Sequence, residues 1–82
     1  MTQRMATFLG LTTLPYYHQP IMNFRLDNGR PRDILLPEGE TMPLFGGEEV
    51  EFSFERNVWT TIRYQGQIIV RNPRAPSHPV VP

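Results

Sequence analysis

The chain has 82 residues in which eight arginines balance eight Asp and Glu, so no net field draws it to phosphate or to an anionic membrane. An apolar fraction of 39% with 20% charged residues excludes disorder throughout, and the length leaves room for one small domain. Cysteine is absent, which excludes a disulfide framework, and His18 and His78 lie far apart with no thiol to help them form a zinc site.

Residues 1–20, MTQRMATFLGLTTLPYYHQP, carry one arginine followed by a mildly apolar run. Threonines interrupt that run, no small-x-small cleavage site comes after it, and it is too short to span a bilayer, so it reads as mature protein rather than a leader. An extended N-terminal arm is expected. Met5, Phe8, Leu9, Leu11, Leu14, Tyr16 and Tyr17 make it sticky in a way that a solvated leader would not be.

From Ile21 to Arg71 the chain reads as all-β: short runs of β-branched and aromatic residues, broken by Gly and Pro, with no sustained helical period. Asn28-Gly29 is a strong hairpin signal and predicts strands near 21–27 and 30–36, with Asp27 facing Arg30. Pro31 has no N–H to donate, so its strand belongs at an edge or a bulge. The stretch PEGETMPLFGG reads as an irregular connection in which Met42, Leu44 and Phe45 tuck down as a plug.

Val50, Phe52 and Phe54 then alternate with Glu49, Glu51, Ser53 and Glu55, the period of a half-buried strand. Val58, Thr60, Ile62 and Tyr64 continue the alternation on the next strand. A loop of Glu55, Arg56 and Asn57 would pair Phe54 with Val58, Phe52 with Thr60 and Val50 with Ile62, and would set Glu49 across from Arg63. A turn at Gln65-Gly66 would pair Tyr64 with Gln67, Ile62 with Ile69 and Thr61 with Val70. In that register Ile68 and Val70 join Trp59 on the face of the glutamates, so both faces are partly apolar and both need cover. Five strands in this order predict a small antiparallel barrel, SH3-like or OB-like, or a compact sandwich.

The last segment, 72–82, places Pro73, Pro76, Pro79 and Pro82 at every third position, the period of polyproline II. No arginine stands at the usual offset of a PxxP ligand for an SH3-type groove, so the ridge reads instead as an extended clasp over a neighbouring protein.

A β domain over 21–71, about 50 residues with neither disulfide nor metal, seldom gains more than ~3–5 kcal/mol from its core. Ordering the arm and the tail costs roughly 1.5 kcal/mol per residue, and neither has a core of its own to offset it. Outside surfaces are therefore expected to hold the ends. The function this predicts is a non-enzymatic structural protein, a minor or cementing component of a large symmetric assembly such as a virus or phage particle. Its partners would be the major subunits and other copies of itself; it would be located in the virion, or in the cytoplasm if the assembly is not viral. The expected contacts are Phe8, Leu9, Tyr16, Tyr17, Trp59, Arg63 and the prolines Pro73, Pro76 and Pro79.

Other chemistry has little support. Glu48, Glu49 and Glu51 are the sole carboxylate cluster and read as a solvated strand face, and no nucleophile-base pair or phosphate loop is present, so no catalytic residue, cofactor or metal is expected. A small barrel binding single strands through Trp59 and Arg63, flanked by Arg71 or Arg56, is the rival class, disfavoured by the zero net charge. A small inhibitor of a larger target fits the size equally well.

Overall fold

The computed structural model describes residues 2–16 and 18–74. Within them the chain forms six strands and no helix: β1 (Thr2–Thr12), β2 (Ile21–Leu26), β3 (Pro31–Leu35), β4 (Glu49–Glu55), β5 (Val58–Tyr64) and β6 (Gln67–Arg71). All neighbours are antiparallel, in one open sheet of order β3-β2-β1-β4-β5-β6. The all-β reading therefore holds, with Pro31 on an edge strand as its missing N–H requires. The expected five strands become six and the sheet does not close, because β3 and β6 are not hydrogen-bonded to each other.

The extra strand comes from the expected arm. Thr2–Thr12 lies at the middle of the sheet, paired with β2 on one side and with β4 on the other. Its alternation is that of a half-buried strand: Ala6 and Phe8 point into the core, while Gln3 and Met5 point outward. Small and polar residues mask this signal in isolation. Their role emerges in the packing, where the rings of Phe24 on β2 and Phe52 on β4 meet edge-on with centroids 4.7 Å apart, across the intervening β1. In a flat sheet those strands would stand about 10 Å apart. The short side chain of Ala6, between them on β1, leaves the room for that approach.

A single sheet can enclose a core only by curling, and three bulges provide the bend. They fall at Leu9 in β1, Thr60 in β5 and Ile69 in β6. Side chains stitch the first two. Asn23 Nδ2 donates to the Gly10 carbonyl at 3.0 Å and to Thr12 Oγ1 at 2.8 Å. Thr60 Oγ1 donates to the Ser53 carbonyl at 3.1 Å, and Asn72 Nδ2 donates to the Trp59 carbonyl at 2.8 Å. The curl brings Arg32 of β3 over Phe54 of β4, 5.3 Å from the ring centroid, although two strands lie between them. The connection 36–48 covers the open side, where Leu36, Met42 and Leu44 pack on the core and Glu40 Oε1 accepts the N–H of Arg71 at the β6 edge.

The bulges also correct the registers. A two-residue turn at Arg56 and Asn57, both at positive φ, replaces the expected three-residue loop. Phe54 thus faces Trp59, Phe52 faces Ile62, and Arg63 faces Glu51 rather than Glu49. Beyond the Gln65-Gly66 turn, Tyr64 pairs with Gln67 as expected, but the bulge at Ile69 sets Ile62 against Val70 and Thr61 against Arg71. Each extra residue inverts the facing of the rest of its strand. Trp59 and Val70 consequently join Phe52 and Ile62 in one core, and the expected second apolar face is largely gone. At the β2–β3 turn, Asp27 pairs with Arg4 of β1 rather than with Arg30, at 2.7 Å.

Candidate interaction surface

Burial sorts the residues that the sequence singled out. Phe8 and Trp59 are core residues, 1% and 7% exposed, and are corrected from contacts to core: their apolar surface is already covered by Phe24 and Phe52. Leu9 and Tyr16 are exposed. Arg63 is half-buried on the outer face of β5, where its Nε is enclosed without a hydrogen-bond partner among the described residues and no ion pair forms with Glu51. Pro73 is exposed at a turn after β6. Tyr17, Pro76 and Pro79 lie outside the described residues, as does the polyproline tail beyond Arg74.

Several exposed apolar residues lie toward one end of the sheet, whereas Met5 and Val58 are exposed near the other. β1 runs past the start of β4, so Leu9 and Leu11 emerge there with one neighbour strand fewer. The segment 13–20 between β1 and β2 leaves from the same end and carries Leu14 and Tyr16, the latter 93% exposed. The connection 36–48 returns there as well: Gly47 N–H donates to the Phe8 carbonyl at 2.7 Å, and Gly46 lies against the Leu9 backbone. Phe45, the residue before Gly46, is 86% exposed. Of the expected plug of Met42, Leu44 and Phe45, only the first two pack on the core, while Phe45, next to the close approach of Gly46 to β1, is exposed. A sequence signal for this existed in the Gly46-Gly47 pair, which marks a close backbone approach.

Polar chemistry is sparse at this end. Tyr64 OH donates to Glu48 Oε2 at 2.6 Å, and that hydrogen bond, then burial and the carboxylate charge, raise the tyrosine above its usual value. A groove of about 380 Å³ lies near His18, Gln19, Pro37 and Glu38, but Gln19 is engaged by the Leu36 carbonyl and Glu40 by Arg71. Among the described residues no three His, Asp or Glu side chains converge to hold a metal ion. Comparison with known proteins finds no matching family model, no matching curated protein and no matching solved structure.

Proposed function

We propose that this chain is a non-enzymatic structural module, a minor or cementing component of a large protein assembly such as a virus or phage particle. It attaches to the major subunits by the end of the sheet that carries Leu9, Leu11, Leu14, Tyr16 and Phe45. The observation that carries the reading is the near-complete solvation of two aromatic rings, Tyr16 and Phe45, on segments that leave the same end of a folded β scaffold as the exposed Leu9 and Leu11. Large rings in water without a partner are a poor arrangement for a lone soluble domain, whereas aromatic side chains are the residues that most often anchor protein interfaces. The central position of β1 changes how the protein fastens: the body presents the contact, and Thr2–Thr12 is not a free clasp.

The nucleic-acid alternative loses its stacking platform, since Trp59 is enclosed by the core. A small inhibitor would use the same exposed surface and is distinguished by stoichiometry. The test is sedimentation of extracts from the native source, comparing the natural chain with a Tyr16→Ser, Phe45→Ser double variant of unchanged melting temperature. The natural chain is expected in the heavy fraction at a fixed ratio to a major subunit, and the double variant in the supernatant. Recovery of the natural chain as a free 9.5 kDa species overturns the proposal, and recovery in a discrete one-to-one complex favours the inhibitor.

A further inference from the structure

At the opposite end of the sheet the side chains have a different chemistry. The N-terminal end of β1, the β2–β3 turn and the β4–β5 turn meet there, and between them lies a cleft of about 210 Å³ lined by Thr2, Arg4, Leu26, Arg32, Phe54 and Asn57. Among the described residues no carboxylate lines it. We propose that this cleft is a binding site for a phosphoryl oxyanion, either inorganic phosphate or the phosphate of a nucleoside monophosphate.

The two arginines are held in place by different means. Arg32 lies 5.3 Å over the Phe54 ring, which orients its guanidinium without neutralising it, and it has no carboxylate partner within the ion-pair distance among the described residues. Arg4 directs Nε and Nη2 to the same oxygen of Asp27, at 3.3 and 2.7 Å, so Nη1 makes no hydrogen bond among the described residues. Asp27 thereby fixes the Arg4 side chain from outside the cleft. The Thr2 hydroxyl and the Asn57 amide add donors that likewise have no partner among the described residues. Leu26 and Phe54 supply an apolar floor, which strengthens each charged hydrogen bond formed above it. Arg30 and Arg56 stand in the flanking turns, and the nearby opposing charges are Asp27, already paired with Arg4, Asp33 next to Arg32 and Glu55 next to Arg56.

Donors contributed from β1, β3 and the β4–β5 turn suit a tetrahedral group with three terminal oxygens better than a planar carboxylate with two. The Arg32 fork, unpaired among the described residues, matches phosphate geometry, while Arg4 adds Nη1. Phe54 is capped by Arg32 and offers no open face to a base, so the phosphate itself is the recognised element.

The inference is independent of the attachment surface, which lies at the other end of the sheet. It is tested on the full chain by two-dimensional amide and arginine Nε–H NMR, titrating sodium phosphate and, separately, adenosine monophosphate at low ionic strength. Saturable shifts confined to Thr2, Arg4, Arg32 and Asn57, with Kd on the order of 1 mM, are expected. Arg32→Gln should weaken binding about tenfold or more, Arg32→Lys several-fold because the charge stays but the fork is lost, and Arg71→Gln not at all. Should Arg32→Gln fail to fold, Arg32→Lys and Thr2→Val carry the comparison. Equal affinity for the two probes identifies the phosphate group as the whole ligand; about tenfold tighter binding of the monophosphate identifies a nucleotide as the source. Linear shifts spread over the whole surface, or an Arg32→Gln chain that binds as the natural one does, overturn the proposal.

Discussion

Trp59 meets Phe52 at a right angle, ring centroids 6.3 Å apart, on a face of the sheet that strict strand alternation would have denied it. The extra residue at Thr60 rotates the tryptophan inward, and the bonds from Thr60 to Ser53 and from Asn72 to the Trp59 carbonyl hold the bulge. The ring closes a row of packed aromatics that runs from Phe8 through Phe24 and Phe52. Trp59→Ala should therefore cost about 3–5 kcal/mol, enough to unfold much of the population, as urea titration followed by circular dichroism would read. A loss below about 1 kcal/mol would show that the indole is not packed as described.

Gly46 has no room for a side chain. A Cβ built there would lie 2.6 Å from the Leu9 carbonyl oxygen, a backbone atom that cannot swing aside. Gly46→Ala is expected to lower stability by about 1–3 kcal/mol and to perturb the amide resonances of Phe8 and Leu9. A variant that melts with the natural chain would refute the close approach and, with it, the placement of Phe45.

The β4–β5 turn places Arg56 at φ 53° and Asn57 at φ 66°, a conformation that favours Asn followed by Gly. Arginine is strained there by about 1 kcal/mol. The exchange Arg56→Asn with Asn57→Gly should raise stability by about that amount, readable as a higher denaturation midpoint at constant slope. No gain would mean that the turn takes a different form in solution.

Tyr64 gives the fold a dependence on alkaline pH. Its hydrogen bond to Glu48, followed by burial and the carboxylate charge, raises its pKa above 10.0, so the folded chain holds the phenolic proton more tightly than the unfolded chain does. The resulting stabilisation is complete below pH 10 and is lost as the pH rises through the folded-state value. The phenolate absorbance titration of the natural chain minus that of Tyr64→Phe should have its midpoint above 10.0, and Glu48→Gln should move that midpoint down. A midpoint at or below 10.0 would rule out the hydrogen bond as described.

Tyr16 and Phe45 should be silent in stability, since both rings are solvated. Tyr16→Ser and Phe45→Ser are each expected to change unfolding free energy by less than about 0.5 kcal/mol. A larger loss would place the ring against the fold itself and remove it from the proposed contact surface.

Particular residues show where the sequence was legible. Alternation at Val50, Phe52 and Phe54, the turn at Gln65-Gly66 and the edge position of Pro31 arise from local chemistry, and all three are present in the fold. At the candidate surface, Leu9 and Tyr16 read as sticky and are exposed, whereas Phe8 and Trp59 read the same way and are core. Hydrophobicity says that a ring needs cover, and it does not say whether the chain's own core or another protein supplies it. The cleft of Arg4 and Arg32 was invisible for a related reason: those residues are far apart in the chain and meet only because the sheet curls.

From the sequence alone came the all-β class, the absence of any disulfide, the Gln65-Gly66 turn and the edge position of Pro31. Only the tertiary structure decided that Thr2–Thr12 is a central strand and that Trp59 and Val70 face the same way as Phe52. Alternation is a local property with period two, so each bulge reverses it for the remainder of the strand. Where a bulge falls depends on which strands pack together, and the pairing of β1 with β4 joins segments more than forty residues apart, beyond what any local pattern encodes.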